Sequence, residues 1–156
     1  MAGQFKANVA ACAALRAHYK PGLQAIPPVD SQRLLYKHPK HLTGSVNVES
    51  AMVTTLPNAN LWDYGIGYEP AGRGAEVVHW VEVHPANDGE VKVMEAKLDW
   101  LVGWLRRNAP GLSEMERRFV WVSSGSTSLT PFAPARRRLA QRGLRIAGHA
   151  YSLDQL

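Results

Sequence analysis

One long amphipathic helix pattern, set between two strand patterns, constrains this chain more than any other feature. In ANDGEVKVMEAKLDWLVGWLRRN, residues 86–108, Val91, Met94, Leu98, Leu101 and Leu105 recur at steps of three and four and form an apolar stripe. Asn87 or Asp88 can cap its start, Arg106 and Arg107 suit the negative end of the helix dipole, and Pro110-Gly111 closes it. Before it, AEVVHWVEVHP alternates in polarity; after it, RRFVWVSS is a short apolar run of the buried-strand kind. Strand, helix, strand in that order predicts a crossover and some parallel pairing.

The rest of the chain extends this plan. Residues 4–19 are alanine-rich with apolar positions at helical spacing, and Lys20-Pro21-Gly22 ends that helix. A proline-rich stretch from Leu23 to Thr43 reads mostly as loop, with a short helical turn around Ser31 to Leu35. GSVNVESAMVTTL and NANLWDYGIGYE read as two strands, and the turn PAGRGA joins the second to AEVVHWVEVHP as a hairpin. TPFAPARRRLAQRG predicts a helix from near Thr130 to a left-handed cap at Gly143, and LRIAGHAYSL a final strand. The expectation is an α/β protein, a mixed central sheet flanked by helices in the order α-β-β-β-α-β-α-β, with residues 1–156 in a single domain.

At 156 residues, 46% apolar and 20% charged, the composition is that of an ordinary soluble globular protein with one substantial core. Its one cysteine, Cys12, excludes an internal disulfide framework and fits a reducing compartment. No apolar run reaches membrane-spanning length, and Val9 to Cys12 lacks the apolar core that a signal sequence would need before it. The expected location is the cytoplasm, with no membrane partner.

Along a strand, residues two apart share a face, so Trp80, Glu82 and His84 point one way and Val81 and Val83 the other. Asp63 and Glu82 lie nine and ten residues either side of Gly72, so an antiparallel hairpin brings them side by side. Two carboxylates and an imidazole suit a hard divalent ion such as magnesium or manganese. They also suit ordinary polar strand ends. Against this stands the cost of a carboxylate like Glu82 between two valines with no partner or metal. Glu49, on the first strand, could join the cluster from the adjacent position, but reads more simply as an exposed edge glutamate.

In this element order, with Asp63 followed by Glu82-Val83-His84, the chain resembles the PD-(D/E)XK nuclease superfamily, the restriction-endonuclease-like fold. The resemblance covers roughly residues 4 to 148. It implies that Asp63 and Glu82 hold Mg2+ or Mn2+ for cleavage of nucleic-acid phosphodiesters. His84 stands where the motif has lysine, which leaves three readings. Lys97, bordering the stripe of the next helix, substitutes for that lysine; His84 is itself a ligand or general base; or catalysis is lost and a binding or assembly module remains.

The net charge of +5 is unevenly spread: nine arginines between Arg106 and Arg145 face only Glu114 and Glu116. Arg117, Arg118, Arg136, Arg137 and Arg138 are candidate contacts to DNA or RNA phosphates, or simply a solvated basic surface. Trp100 and Trp104, four apart, pack on the core or form a subunit contact in a homo-oligomer. His38 and His41 read as a basic loop. SSGSTSLTP, residues 123–131, offers an anion site, or plain N-capping by Ser128 or Thr130. Neither a P-loop nor a dinucleotide fingerprint is present.

Overall fold

The computed structural model describes residues 3–125 and 134–155. The chain begins with α1 (Gln4–Ala10), β1 (Tyr19–Lys20), α2 (Pro28–Ser31) and β2 (Leu34–Leu35). It continues through β3 (Leu42–Asn47), α3 (Val48–Met52), β4 (Tyr64–Tyr68) and β5 (Val77–His84). Then come α4 (Val91–Asn108), α5 (Pro110–Glu114), β6 (Arg117–Ser123), α6 (Pro134–Gln141), β7 (Leu144–Ala147) and β8 (Tyr151–Ser152).

Six strands form one mixed sheet in the order β1-β3-β4-β5-β6-β7. β1, β3, β4 and β5 pair antiparallel in succession. β5 with β6, and β6 with β7, pair parallel, as crossovers through helices require. A separate two-stranded sheet pairs β2 with β8.

One face of the large sheet carries the helices. Phe5 and Val9 of α1, Met94, Leu98 and Leu101 of α4, Leu112 of α5 and Leu139 of α6 pack there on Val46, Trp80 and Trp121. Ile26 and Leu34, with Tyr151 and Leu153 near the carboxyl end, cover the other face over Ile66, Val81, Val120 and Val122. The proline-rich stretch read as mostly loop therefore contributes Ile26 and Leu34 to the second core. Burial there also encloses His79, whose Nδ1 lies 2.9 Å from the Tyr151 hydroxyl. Desolvation, then the Arg118 charge, lowers its pKa to about 3.

Several boundaries differ from the sequence reading for identifiable reasons. The first helix ends at Ala10, because the chain turns to bury both Cys12 and Leu15, and Tyr19–Lys20 then joins the sheet. Buried Glu76 caps the helix start, accepting hydrogen bonds from the Gln4 and Phe5 amides at 2.6 and 3.1 Å. The strand expected over 44–56 stops at Asn47, whose side chain accepts from Ser50 N at 2.9 Å and opens α3. Glu49 is thus helical, not on an edge strand. Asp88–Glu90 forms a 3-10 turn rather than a helix cap, and Pro110 opens α5 instead of only closing α4. The single strand expected over 144–153 is two short strands in different sheets. Gly143 takes the left-handed conformation expected of it, with φ 82°. The start expected near Thr130 lies outside the described residues, as does most of the 123–131 anion-site reading.

Candidate active site

Antiparallel register sets Tyr64 of β4 opposite Val81 of β5, so Asp63, just before β4, stands beside Glu82. The two are locked reciprocally. The Asp63 amide donates to Glu82 Oε1 at 3.0 Å, and the Val83 amide donates to Asp63 Oδ2 at 3.0 Å. A third tie holds Asp63 to α3, where the Val48 amide donates to its carbonyl at 2.8 Å.

Glu82 shares the helix-facing side of β5 with Trp80 and is fully buried. From α4 above it, Lys97 donates through Nζ to Glu82 Oε2 at 2.5 Å. His84 Nδ1 lies 3.7 Å from the same oxygen, and His84 Nε2 lies 2.7 Å from Glu90 Oε2. Sequence reasoning missed Glu90, which precedes α4 and holds the imidazole at the rim. It also undervalued Glu49, which is exposed on α3 yet close enough to Asp63 for its charge to raise the Asp63 pKa.

Burial decides the electrostatics. It pushes Asp63 up to about 7, with help from Glu49, against the Val83 amide and the Lys97 charge. It pushes Glu82 up to about 8, with help from Asp63, against Lys97. Burial works against the Lys97 ammonium, but Glu82, Asp63 and Glu49 together hold its pKa above the ordinary lysine value. One cation therefore faces three carboxylates, and the group has unmet demand for positive charge.

The fit to a hard divalent ion follows from that donor set. Among the described residues, no three His, Cys, Asp or Glu side chains stand grouped to hold a metal ion. Magnesium, however, commonly takes one or two carboxylates and completes its shell with water and substrate phosphate. Asp63 and Glu82 are the pair that could hold such an ion, with Glu49 alongside.

The arginines divide. Arg117 and Arg118 open β6 opposite Val78 and His79, about 13 and about 10 Å along the strands from the level of Glu82 at about 3.3 Å per residue. Arg118 is paired with Glu116 at 3.0 Å, and the Arg117 guanidinium lies over the Phe119 ring. Neither joins the acidic group. Arg136, Arg137 and Arg138 lie on α6, alongside α4, where Arg138 bridges to Glu95 at 3.0 Å and Arg142 to Asp99 at 2.6 Å. Trp104 is buried in the core, and the half-buried Trp100 stacks on it at 5.8 Å. His38 and His41 stack at 4.8 Å beside Lys37 and Lys40, leading into the start of β3, the end away from Asp63. Among the described residues, no helix is long and apolar enough to cross a membrane.

The chain matches no protein-family model, no curated protein and no solved structure. The functional reading rests on its own geometry.

The raised carboxyls carry a testable sign. Asp63 has a folded pKa above its ordinary value of 3.8, so its contribution to stability is full below that value and is lost as pH rises through about 7. Asp63→Asn keeps an acceptor for the Val83 amide and removes the repulsion from Glu82. The variant is expected to be more stable than wild type by roughly 2 kcal/mol near pH 8, with the gain shrinking as pH falls and vanishing only below about pH 4. Urea unfolding at the two pH values measures it.

Proposed function

We propose that this protein is a metal-dependent phosphodiesterase acting on nucleic acid, with a restriction-endonuclease-like core. The observation that carries the reading is the convergence of Asp63, Glu82 and Lys97, with Glu82 accepting from the Asp63 amide, Asp63 accepting from the Val83 amide, and the lysine on Glu82. The antiparallel run β3-β4-β5, followed by α4 and the parallel strand β6, supports it. So does the site's position at the carboxyl ends of the parallel strands, where open α/β sheets take their ligands.

Asp63 and Glu82 would hold Mg2+ or Mn2+, which when bound offsets phosphate charge and acidifies water. Lys97 is the fixed cation of the group. Its ammonium, held on Glu82, faces charge developing on the phosphoryl oxygens and fixes the donor direction for a water molecule. Lys97 thus takes the role of the motif lysine, while His84, anchored by Glu90, walls the site. Arg136 and Arg137, on the same helix as the Glu95-paired Arg138, supply cations for neighbouring phosphates of DNA or RNA.

A second reading, a binding or assembly module without chemistry, is favoured by the missing third preassembled metal ligand among the described residues. Oligonucleotide cleavage with manganese separates the two. Wild type is expected to cleave, and Asp63→Asn to fall to the level without enzyme while gaining stability. Cleavage by neither would select the module; equal cleavage by both would refute the site.

A further inference from the structure

Beside the acidic group lies an open pocket of about 250 Å³, between α3, the segment that follows it and α4. Val53, Pro57 and Leu61 form apolar walls, Asn60 presents an amide, and Glu49 and Lys97 line it with charge. We propose that this pocket receives one unpaired nucleobase of the strand whose phosphate sits at Asp63, Glu82 and Lys97. The proposal rests on the nuclease reading and adds the substrate class, a strand with at least one base out of the stack.

Size, chemistry and position each point to that occupant. The volume falls just below the ~300 Å³ at which pockets for drug-sized ligands begin, and it suits one ring system. A base has flat apolar faces and a polar edge. The pocket offers the apolar walls for those faces, and the Asn60 amide has both donor and acceptor for that edge. Lys97 is shared: it lines the pocket and its Nζ reaches Glu82, so a base held here has its own backbone phosphate beside the acidic group. The ammonium complements that phosphate, and Glu49 stands on the side of the carboxylates. A stacked, paired base has its faces covered and cannot use these walls without leaving the duplex, at a cost that a single strand avoids.

The test uses short DNA strands carrying 2-aminopurine, alone or in duplex, bound to the full chain in calcium, a hard divalent ion that offsets the carboxylates. Val53→Trp fills the pocket and Asn60→Ala removes the amide; both positions are exposed, so the fold tolerates the changes. Wild type is expected to alter 2-aminopurine emission of the single strand but not of the duplex. Each variant is expected to weaken single-strand affinity about tenfold and leave duplex affinity unchanged. Unchanged emission, equal affinities in all three proteins, or no strand bound would overturn the proposal. Manganese-dependent cleavage of the same strands distinguishes it from the reading beneath it. Cleavage that needs Asp63 but ignores Val53→Trp and strandedness sinks the pocket alone. An emission change without cleavage keeps the pocket and sinks the nuclease.

Discussion

Lys97→Met is expected to lower stability by about 3–5 kcal/mol near pH 8, the cost of stranding a buried carboxylate without its partner. Glu82 is fully buried, and the Lys97 ammonium at 2.5 Å is the cation bonded to it. Glu49, the other carboxylate near Asp63, raises its pKa and so adds repulsion rather than relief. Methionine matches the stem of lysine and preserves packing along α4, so the loss isolates the charge. Its pH dependence follows from the carboxyl groups. Both have folded pKa values raised well above the ordinary range, and loss of the cation raises them further. The destabilisation is therefore largest near pH 8 and small near pH 5, where protons replace the ammonium. Adding Glu82→Gln to Lys97→Met should recover much of the loss, the non-additivity expected of residues in contact. A loss that is independent of pH, or one that simply adds to that of Glu82→Gln, would mean that Lys97 contributes packing and not charge.

Gly65→Val is expected to be as damaging for a steric reason. In YGIGY, Gly65 lies opposite Trp80 of the neighbouring strand, and a Cβ at Gly65 would stand 2.4 Å from Trp80 Cζ3. Trp80 is fully buried in the helix-side core and has no direction in which to yield. Overpacking of this kind costs about 3 kcal/mol or more. Trp80 is also two residues from Glu82 on the same face, so displacing it disturbs the site. Gly148→Ala is the control, with nothing within 4 Å of the added carbon, and should stay within about 0.5 kcal/mol of wild type. Denaturant midpoints of the three proteins decide the matter.

What could be read from the sequence was local periodicity and hairpin counting. Alternation in residues 75–85 identified the face of β5 that carries Glu82, and the distances from Gly72 brought Asp63 beside it, as the register has it. The stripe of α4 put Lys97 near that face. Interactions made by side chains outside any periodic pattern were not readable. Glu90 meets His84 from an irregular turn, and Glu49 meets Asp63 only because the Asn47 cap converts an apparent strand into a helix. β1, β2 and β8 have two residues each, too few for any period. His79 alternates correctly with its neighbours, but its partner Tyr151 is 72 residues away. Charge counting found the arginines and not their distribution: Arg117 and Arg118 lie at the opposite end of the sheet from the acids, while Arg138 is spent on Glu95.

The most direct test of the central claim is calorimetric titration of manganese into wild type and Asp63→Asn at about pH 7, repeated in buffers of different ionisation enthalpy. Carboxyls with folded pKa values near 7 and 8 must release protons when a cation displaces them. Binding to wild type with proton release, absent in Asp63→Asn, is the predicted result. Binding that is identical in both proteins, or absent from wild type, would contradict a metal site built on Asp63 and Glu82.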